Sequence, residues 1–527
     1  MNAYAPLYIG TAGADVELTP EAAGGKAALL WRMSRLGLDV PPAFVLPTTL
    51  CRAVNAGDAE AIAAMERGLA EGIARLEAAV ERRFGDARAP LLVSVRSGAA
   101  KSMPGMMETI LDVGLNGESL RGLIALTGNP RLAFDSYRRL IQLFGEVVEG
   151  VPAAAFEERL GAMLLSEQVT GEADLDPEAL ERLAHDYLAV FSRLTGHAMP
   201  VDPMRQLLSA TRAVFRSWDG DKAREYRRLN GLESLEGTAV TVQVMVFGNA
   251  GGRSGAGVAF SRNPATGMPG LYADFLFDAQ GEDVVAGRRV PGNVDLLTRR
   301  LPDQAAALRR GAERLERAFA DMQDIEFTIE EGRLWFLQTR SAKRTPRAAL
   351  RMAVDAVSEG LIDEATALER VAGIDLAAAA VGRFAEPAEA VATAVPASPG
   401  VACGRVAFDS AKAAAMAEAG GPVILVRHDT STDDVAGFAV AAGILTAVGG
   451  RTAHAAVVAR QMGKPCLVGC AGLVIGETAT IGGKPLREGD WLCLDGETGE
   501  ITLGRREIVT EKPEEALAMI EGWRKAG

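Results

Sequence analysis

The stretch GILTAVGGRTAHAAVVARQMGKPCLVGC, residues 443–470, carries the clearest structural signal in the chain. An apolar run stops at Gly449-Gly450, and after three residues His454 opens the run Ala455–Ala459. This order predicts a strand, a tight turn and a helix that begins at the histidine. A helix N-terminus keeps an imidazole neutral and nucleophilic, and it stabilises a phosphate attached there. A histidine that only caps the helix is the alternative.

The composition is that of a soluble protein with several domains. The chain has 527 residues, of which 48% are hydrophobic and 24% charged, and domains of roughly 100–200 residues predict three or four structural units. It contains no run of about 18 uncharged apolar residues and no basic secretory leader, so we expect no membrane partner and a cytoplasmic location. The net charge of −13 argues against a nonspecific nucleic-acid binder.

The five cysteines are expected to be reduced thiols. An odd number in a long chain is typical of an intracellular protein. Cys466 and Cys470 have neither a second cysteine pair nor a histidine close by, so the pattern does not favour a zinc site. The full set is Cys51, Cys403, Cys466, Cys470 and Cys493.

Two cations in the N-terminal part stand next to bare backbone. Lys26 follows two glycines in a predicted helix over residues 20–38, and Arg96 ends the alternating strand at residues 91–97, before a loop rich in glycine. An ammonium behind glycines and a planar guanidinium both suit phosphate binding. The alternatives are a solvated lysine and an ordinary salt-bridge arginine.

A glycine-rich segment lies between two predicted β runs. Residues 120–235 before it are mostly helical by their periodicity, and residues 238–249 then have the pattern of a strand. We expect a hairpin here. Such a hairpin can lay backbone N–H groups over a triphosphate, although glycine-rich hairpins are also common as plain turns. The glycines concerned are Gly248, Gly251, Gly252, Gly255 and Gly257.

Polar side chains alternate along a second predicted hairpin, residues 322–340. Asp324 and Glu326 share one face of its first strand, and Gln338 and Arg340 share a face of its second. Oxygen ligands of this kind suit Mg²⁺ that carries ATP, and the arginine would neutralise a distal phosphate. A half-exposed hairpin whose charges meet water is the alternative.

These motifs carry a resemblance to a known family. GGRTAHAAVVARQMGKPCLVG is similar to the phosphohistidine signature of the phosphoenolpyruvate-utilising enzymes, and GGK, VSVRSGA, QDIEFTIE and LQTR resemble the nucleotide-binding half of pyruvate phosphate dikinase. The resemblance implies an α/β and α+β multidomain protein. Its expected parts are an ATP-grasp domain (residues 1–343, with a helical insertion over about 120–235), a helical linker (344–394), a mobile phosphohistidine domain (395–510) and a C-terminal helix (511–527).

The resemblance also implies roles for individual residues. His454 would be the phosphorylated histidine, and Glu326 and Gln338 would hold Mg²⁺, the expected cofactor. Thr452 corresponds to the residue on which a regulatory kinase and phosphatase act in the family. The expected ATP- and phosphate-binding set is Lys26, Arg96, Asp324, Arg340, Gly251, Gly252 and Gly255.

The expected reaction uses ATP and inorganic phosphate to phosphorylate His454, with release of AMP and pyrophosphate. The family's third domain is a barrel of about 250 residues, for which residues 1–527 leave no room. We therefore expect the phosphoryl acceptor on a separate barrel protein or as another small molecule. A noncatalytic regulator and a kinase of an unusual acceptor remain as alternatives, and a homo-oligomer is left open.

Overall fold

The structure, a computed structural model, divides into two compact units. It describes residues 4–11, 16–101, 103, 108–169, 171–285, 292–374, 379–430, 434–450, 453–476 and 479–526. The first unit comprises Met1–Gly251 with Trp335–Gln338, and the second comprises Gly252–Leu334 with Thr339–Gly527. Within the described ranges, every helix is too short or too polar to serve as a membrane span. The predicted domain boundaries stay predictions.

The first unit is a five-stranded sheet covered by helices. The unit has seven strands, β1 (Leu7–Ile9), β2 (Ala43–Leu46), β3 (Arg83–Phe84), β4 (Pro90–Leu91), β5 (Val93–Ala99), β6 (Thr109–Val113) and β7 (Thr238–Val244). Five of them form the sheet in the order β1-β2-β7-β5-β6, and β3 and β4 form a separate parallel pair. Its helices are α1 (Pro20–Arg35), α2 (Thr49–Asn55), α3 (Ala59–Val80), α4 (Gly117–Thr127), α5 (Pro130–Glu149), α6 (Ala153–Glu167), α7 (Pro177–Thr195), α8 (Pro203–Ser217) and α9 (Asp221–Leu229). Helices α4 to α9 confirm the helical character predicted for residues 120–235.

The second unit begins with another five-stranded sheet. Its strands are β8 (Gly255–Arg262), β9 (Pro269–Phe277), β10 (Gly292–Asn293), β11 (Gln323–Glu330) and β12 (Arg333–Ser341), in the order β10-β9-β8-β11-β12, with helices α10 (Gly281–Val285), α11 (Val294–Arg300) and α12 (Pro302–Phe319). The hairpin predicted at the glycine-rich segment is wrong. β7 pairs with β2 and β5, whereas β8 pairs with β9 and β11. Gly248, Gly251 and Gly252 therefore lie in a connection between strands of two different sheets, and Gly255 and Gly257 lie in β8.

The linker region starts with two helices. They are α13 (Pro346–Ser358) and α14 (Glu364–Val371), followed by β13 (Val381–Phe384). The buried Arg262 of β8 donates hydrogen bonds to Asp355 of α13 (3.0 Å) and to Glu359 just beyond it (2.8 Å). The first linker helix is therefore held on the sheet of this unit.

The region predicted to be a mobile domain is built on an eight-stranded sheet of order β14-β24-β23-β16-β17-β18-β19-β15. Its elements are β14 (Ala392–Thr393), β15 (Val395–Ser398), β16 (Val401–Ala407), α15 (Ser410–Glu418), β17 (Val423–Arg427), α16 (Val435–Val440), β18 (Gly443–Thr446), α17 (His454–Gln461), β19 (Cys466–Val468), β20 (Leu473–Val474), β21 (Ala479–Ile481), β22 (Lys484–Leu486), β23 (Trp491–Asp495) and β24 (Glu500–Leu503). Strands β16 to β19 are parallel neighbours, and one helix lies in each connection, as parallel strands require.

The chain's last two elements are β25 (Ile508–Glu511) and α18 (Glu514–Ala526). The prediction of a single helix from residue 511 was wrong at its start. β25 pairs with β13, and Pro513 directly precedes the helix, where its fixed φ and missing N–H are tolerated. α18 packs with α13 and α14 around Ile520, Leu350 and Val371.

The cysteines differ from the prediction. A disulfide joins Cys403 of β16 to Cys493 of β23, whereas Cys51, Cys466 and Cys470 are free and buried. Cys403 and Cys493 are direct register partners on antiparallel strands, with their Cα atoms 4.1 Å apart. The sheet topology therefore joins two cysteines that are 90 residues apart in the chain.

Candidate functional site

A cationic pocket in the first unit contains three of the predicted residues. Lys26, Arg96 and Gln338 line it together with Thr241 and Gln243. Lys26 comes from α1, Arg96 from β5, and Gln338 from the part of β12 that belongs to this unit. The described residues around the pocket include no acid, so its electrostatics favour an anion.

The glycines next to Lys26 bring α1 close to the strand that carries Arg96. Gly24 has φ +77°, and a Cβ there would lie 2.0 Å from the carbonyl oxygen of Gly98. Only glycine fits such a contact with backbone at a positive φ. The helix is interrupted at Gly24 and resumes beyond it, so Lys26 stands at the start of a helical segment, as the Gly-Gly pattern predicted.

Sequence reasoning missed two residues of this pocket, Thr241 and Gln243. The register of β5 and β7 sets Thr241 opposite Arg96 and Gln243 opposite Ser94. The Thr241 hydroxyl is buried and has no hydrogen-bond partner among the described residues. The alternation of TVQ was a usable signal, but which strand pairs with β5 could not be read locally.

An acidic sheet face in the second unit contains two more of the predicted residues, Asp324 and Glu326. Asp324 lies opposite Phe260, and Glu326 lies opposite Val258, in the β8–β11 register. Because residues two apart on a strand share a face, both carboxylates lie on one side of the sheet. This confirms the alternation predicted for the hairpin at residues 322–340, whose turn is formed by Glu331 and Gly332, both at positive φ.

Asp324 is buried and only half satisfied. Arg340 Nε donates to its Oδ2 at 2.8 Å, while its Oδ1 is buried without a hydrogen-bond partner in the described part of the chain. Burial raises the pKa of the Asp324 carboxyl, and the nearby Arg340 guanidinium offsets only part of this effect. An orphaned buried carboxylate oxygen of this kind suits a hard cation.

The residues present fit Mg²⁺ on this observation. Asp324 and Glu326 are hard oxygen donors on one face, which is the donor type that Mg²⁺ prefers. Within the described ranges, His, Cys, Asp and Glu side chains form no cluster of three or more that could hold a metal ion by themselves. Gln338, the other predicted ligand, belongs to the first unit, and its role stays a prediction.

The predicted phosphate-binding glycines have different environments. Gly251 and Gly252 lie in the connection before β8, whereas Gly255 is the first residue of β8 itself. A Cβ at Gly255 would lie 2.1 Å from the Phe275 ring. Packing against Phe275 therefore explains the glycine at position 255.

Helix α17 begins at His454, as predicted, with Ala453 as its N-cap in an extended conformation. It follows the carboxyl end of the parallel strand β18, which is where ligand sites form in such sheets. Thr452, the predicted regulatory residue, lies outside the described residues, and so does Arg451.

Two family profiles match the chain. "Pyruvate phosphate dikinase, AMP/ATP-binding domain" covers residues 59–302 and 297–360, and "PEP-utilising enzyme, mobile domain" covers residues 420–499. The chain belongs to the pyruvate phosphate dikinase family. Its fold is accordingly a nucleotide-binding domain of the ATP-grasp type, a helical linker and a swivelling phosphohistidine domain.

Curated relatives agree with this assignment. The chain is 44% identical over 507 residues to the chloroplastic pyruvate, phosphate dikinase of Flaveria trinervia, covering 95% of this chain and 53% of the relative. It is 46% identical over 489 residues to pyruvate, phosphate dikinase of Clostridium symbiosum, covering 91% and 56%. The chain thus spans about half the length of the curated relatives that it matches.

Proposed function

We propose that this protein is a dikinase-type phosphotransferase that loads its own His454 from ATP and inorganic phosphate. The histidine attacks the β-phosphorus of ATP, the bond to the α-phosphate oxygen breaks, and AMP leaves. Inorganic phosphate then takes up the γ-phosphoryl group as pyrophosphate, and a phosphohistidine remains. The phosphoryl group passes on to an acceptor, which is pyruvate on a barrel domain or another small molecule.

The observation that supports this proposal most strongly is the division of charge between the two regions. Lys26 and Arg96 provide cations for phosphate oxygens in a pocket whose described lining residues include no acid, whereas Asp324 and Glu326 provide carboxylates for a cation. Phosphoryl transfer needs both kinds of group, because the reacting phosphates carry several negative charges close together.

Individual residues have the following proposed roles. Lys26, Arg96 and Arg340 neutralise phosphate charge, and the backbone at Gly251 and Gly252 contacts the triphosphate. Asp324 and Glu326 would hold Mg²⁺, which would supply charge neutralisation and orientation of the phosphates when bound. His454, the first residue of α17, would be the nucleophile that attacks the phosphate.

The proposal is tested by product analysis. Incubation with MgATP and inorganic phosphate should yield AMP, pyrophosphate and an acid-labile phosphoprotein in equal amounts. His454→Ala should yield none of these. Equal behaviour of the two proteins would contradict the proposal, and MgATP binding without any turnover would favour a noncatalytic regulator instead.

A further inference from the structure

One buried cation is left unused by the proposed chemistry. Arg460 lies on α17, six residues after His454, and it is 1% exposed. Its Nη1 donates to the Ala397 carbonyl at 2.8 Å, while its Nε is buried with no partner among the described residues. Burying a guanidinium with an unmade hydrogen bond lowers the stability of a folded protein. The buried position of Arg460 therefore suggests a function.

Arg460 stands over the sheet face that carries Asp324. Its guanidinium carbon lies 5.7 Å from the centre of the Phe260 ring. Phe260 on β8 is the register partner of Asp324 on β11 and of Tyr272 on β9. Because cross-strand partners point to the same face, Arg460 covers a row formed by Tyr272, Phe260 and Asp324.

This row of side chains also contacts strand β15, which belongs to the eight-stranded sheet. The Tyr272 hydroxyl donates to the Pro396 carbonyl at 3.2 Å, and Arg460 donates to the next carbonyl, that of Ala397. Two consecutive carbonyls of β15 thus accept hydrogen bonds, one from Tyr272 on strand β9 and one from Arg460 on α17. Burial lowers the pKa of Arg460, and Tyr272, Asp274 and Asp324 are among the groups that oppose this effect.

We propose that Arg460 is a positioning residue, which docks the helix that begins at His454 on the Asp324 face of the sheet while the histidine is loaded. The proposal rests on the proposed function. With a helical rise of about 1.5 Å per residue, the start of α17 lies roughly 9 Å along the helix from Arg460. Docking at Arg460 therefore fixes where the first residue of α17, His454, lies relative to the sheet.

The test compares single-turnover loading by MgATP and phosphate in three variants of the full chain. Arg460→Met should load about a hundredfold more slowly, because misplacement of a reacting group by about 1 Å costs that much, with the half-saturating MgATP concentration unchanged. Arg460→Lys should recover part of the rate. Arg505→Met, which removes an exposed arginine of the same region, should load like the wild type.

Two further measurements separate docking from simple misfolding. Phosphoramidate transfers its phosphoryl group directly to imidazole with loss of ammonia, so it needs no docked sheet, and it should label wild type and Arg460→Met at equal rates. Tyr272→Phe removes the contact from the opposite side, and it should slow loading by MgATP about 2- to 10-fold, the effect of one neutral hydrogen bond.

The outcomes are distinguishable. Loading of Arg460→Met by MgATP at the wild-type rate would overturn the docking proposal and leave the proposed function intact. Equal loss of labelling with MgATP and phosphoramidate would also overturn it, since Arg460 would then be merely structural. A wild type that phosphoramidate labels and MgATP does not would refute the proposed function, and the docking proposal with it.

Discussion

Two buried aspartates, one in each unit, are treated in opposite ways by their surroundings. Asp135 on α5 is 4% exposed, and Asp324 on β11 is 8% exposed. Asp135 receives Arg138 Nη2 on one oxygen at 2.8 Å and Arg139 Nε on the other at 3.0 Å. Asp324 receives only Arg340 Nε on Oδ2, and its Oδ1 stays without a partner in the described residues.

The pKa shifts follow from this difference. Burial alone would raise the pKa of Asp135, but Arg139 and Arg138 hold it well below its usual range. At Asp324 burial prevails over Arg340, and the pKa is raised. This difference agrees with the proposed roles, in which Asp135 stabilises the fold and Asp324 would bind a cation.

The largest expected effect on stability belongs to Asp135. Asp135→Asn would leave Arg138, which is 3% exposed, without its nearest buried counter-charge, and we expect a loss of about 3–5 kcal/mol in the free energy of unfolding. Urea unfolding followed by circular dichroism measures it. Glu167→Gln, at the more exposed pair with Arg182, should cause a much smaller loss, and an equal loss in both variants would contradict the structural role of Asp135.

Asp324 should show the converse pattern. Asp324→Asn is expected to slow loading of His454 by about 10²- to 10³-fold, the usual effect of removing one charge-stabilising group, with little change in unfolding free energy. Asp321→Asn is the matched control, because Arg344 binds both oxygens of Asp321 (2.7 and 2.9 Å). Faster loading of His454 in Asp324→Asn than in Asp321→Asn would contradict the proposed role of Asp324 in loading.

The smallest expected effect is the pH dependence of stability, with opposite signs at the two sites. Because the folded pKa of Asp135 is lowered, its stabilising contribution is present above about pH 4 and decreases as the pH falls. Because the folded pKa of Asp324 is raised, its contribution is present below about pH 4 and is lost as the pH rises toward the raised value.

Unfolding of each Asp→Asn variant beside the wild type across this pH range would measure these contributions. The advantage of the wild type over Asp135→Asn should shrink on acidification. The free energy of unfolding of the wild type should fall relative to that of Asp324→Asn as the pH rises above about 4. Slopes of the same sign at both sites would show that the surroundings of the two carboxylates do not differ as described.

Sequence reasoning succeeded where the signal is local. The strand, turn and helix around His454, and the alternation of Asp324 and Glu326, depend on residues a few positions apart, and the structure confirms both. The pairing of strands that are distant in the sequence could not be predicted in this way. The partners of β7, the Cys403–Cys493 bond and the place of Thr241 beside Arg96 all depend on which strands lie side by side.

The position of the isotope transferred to His454 tests the central claim most directly. The protein would be incubated with inorganic phosphate and with ATP labelled with ³²P at either the β- or the γ-phosphate, and the acid-labile label on the protein would be counted. We predict that only β-labelled ATP leaves label on the protein, and that His454→Ala carries no label. The label of γ-labelled ATP should be recovered in pyrophosphate. Stable label from γ-labelled ATP would contradict it.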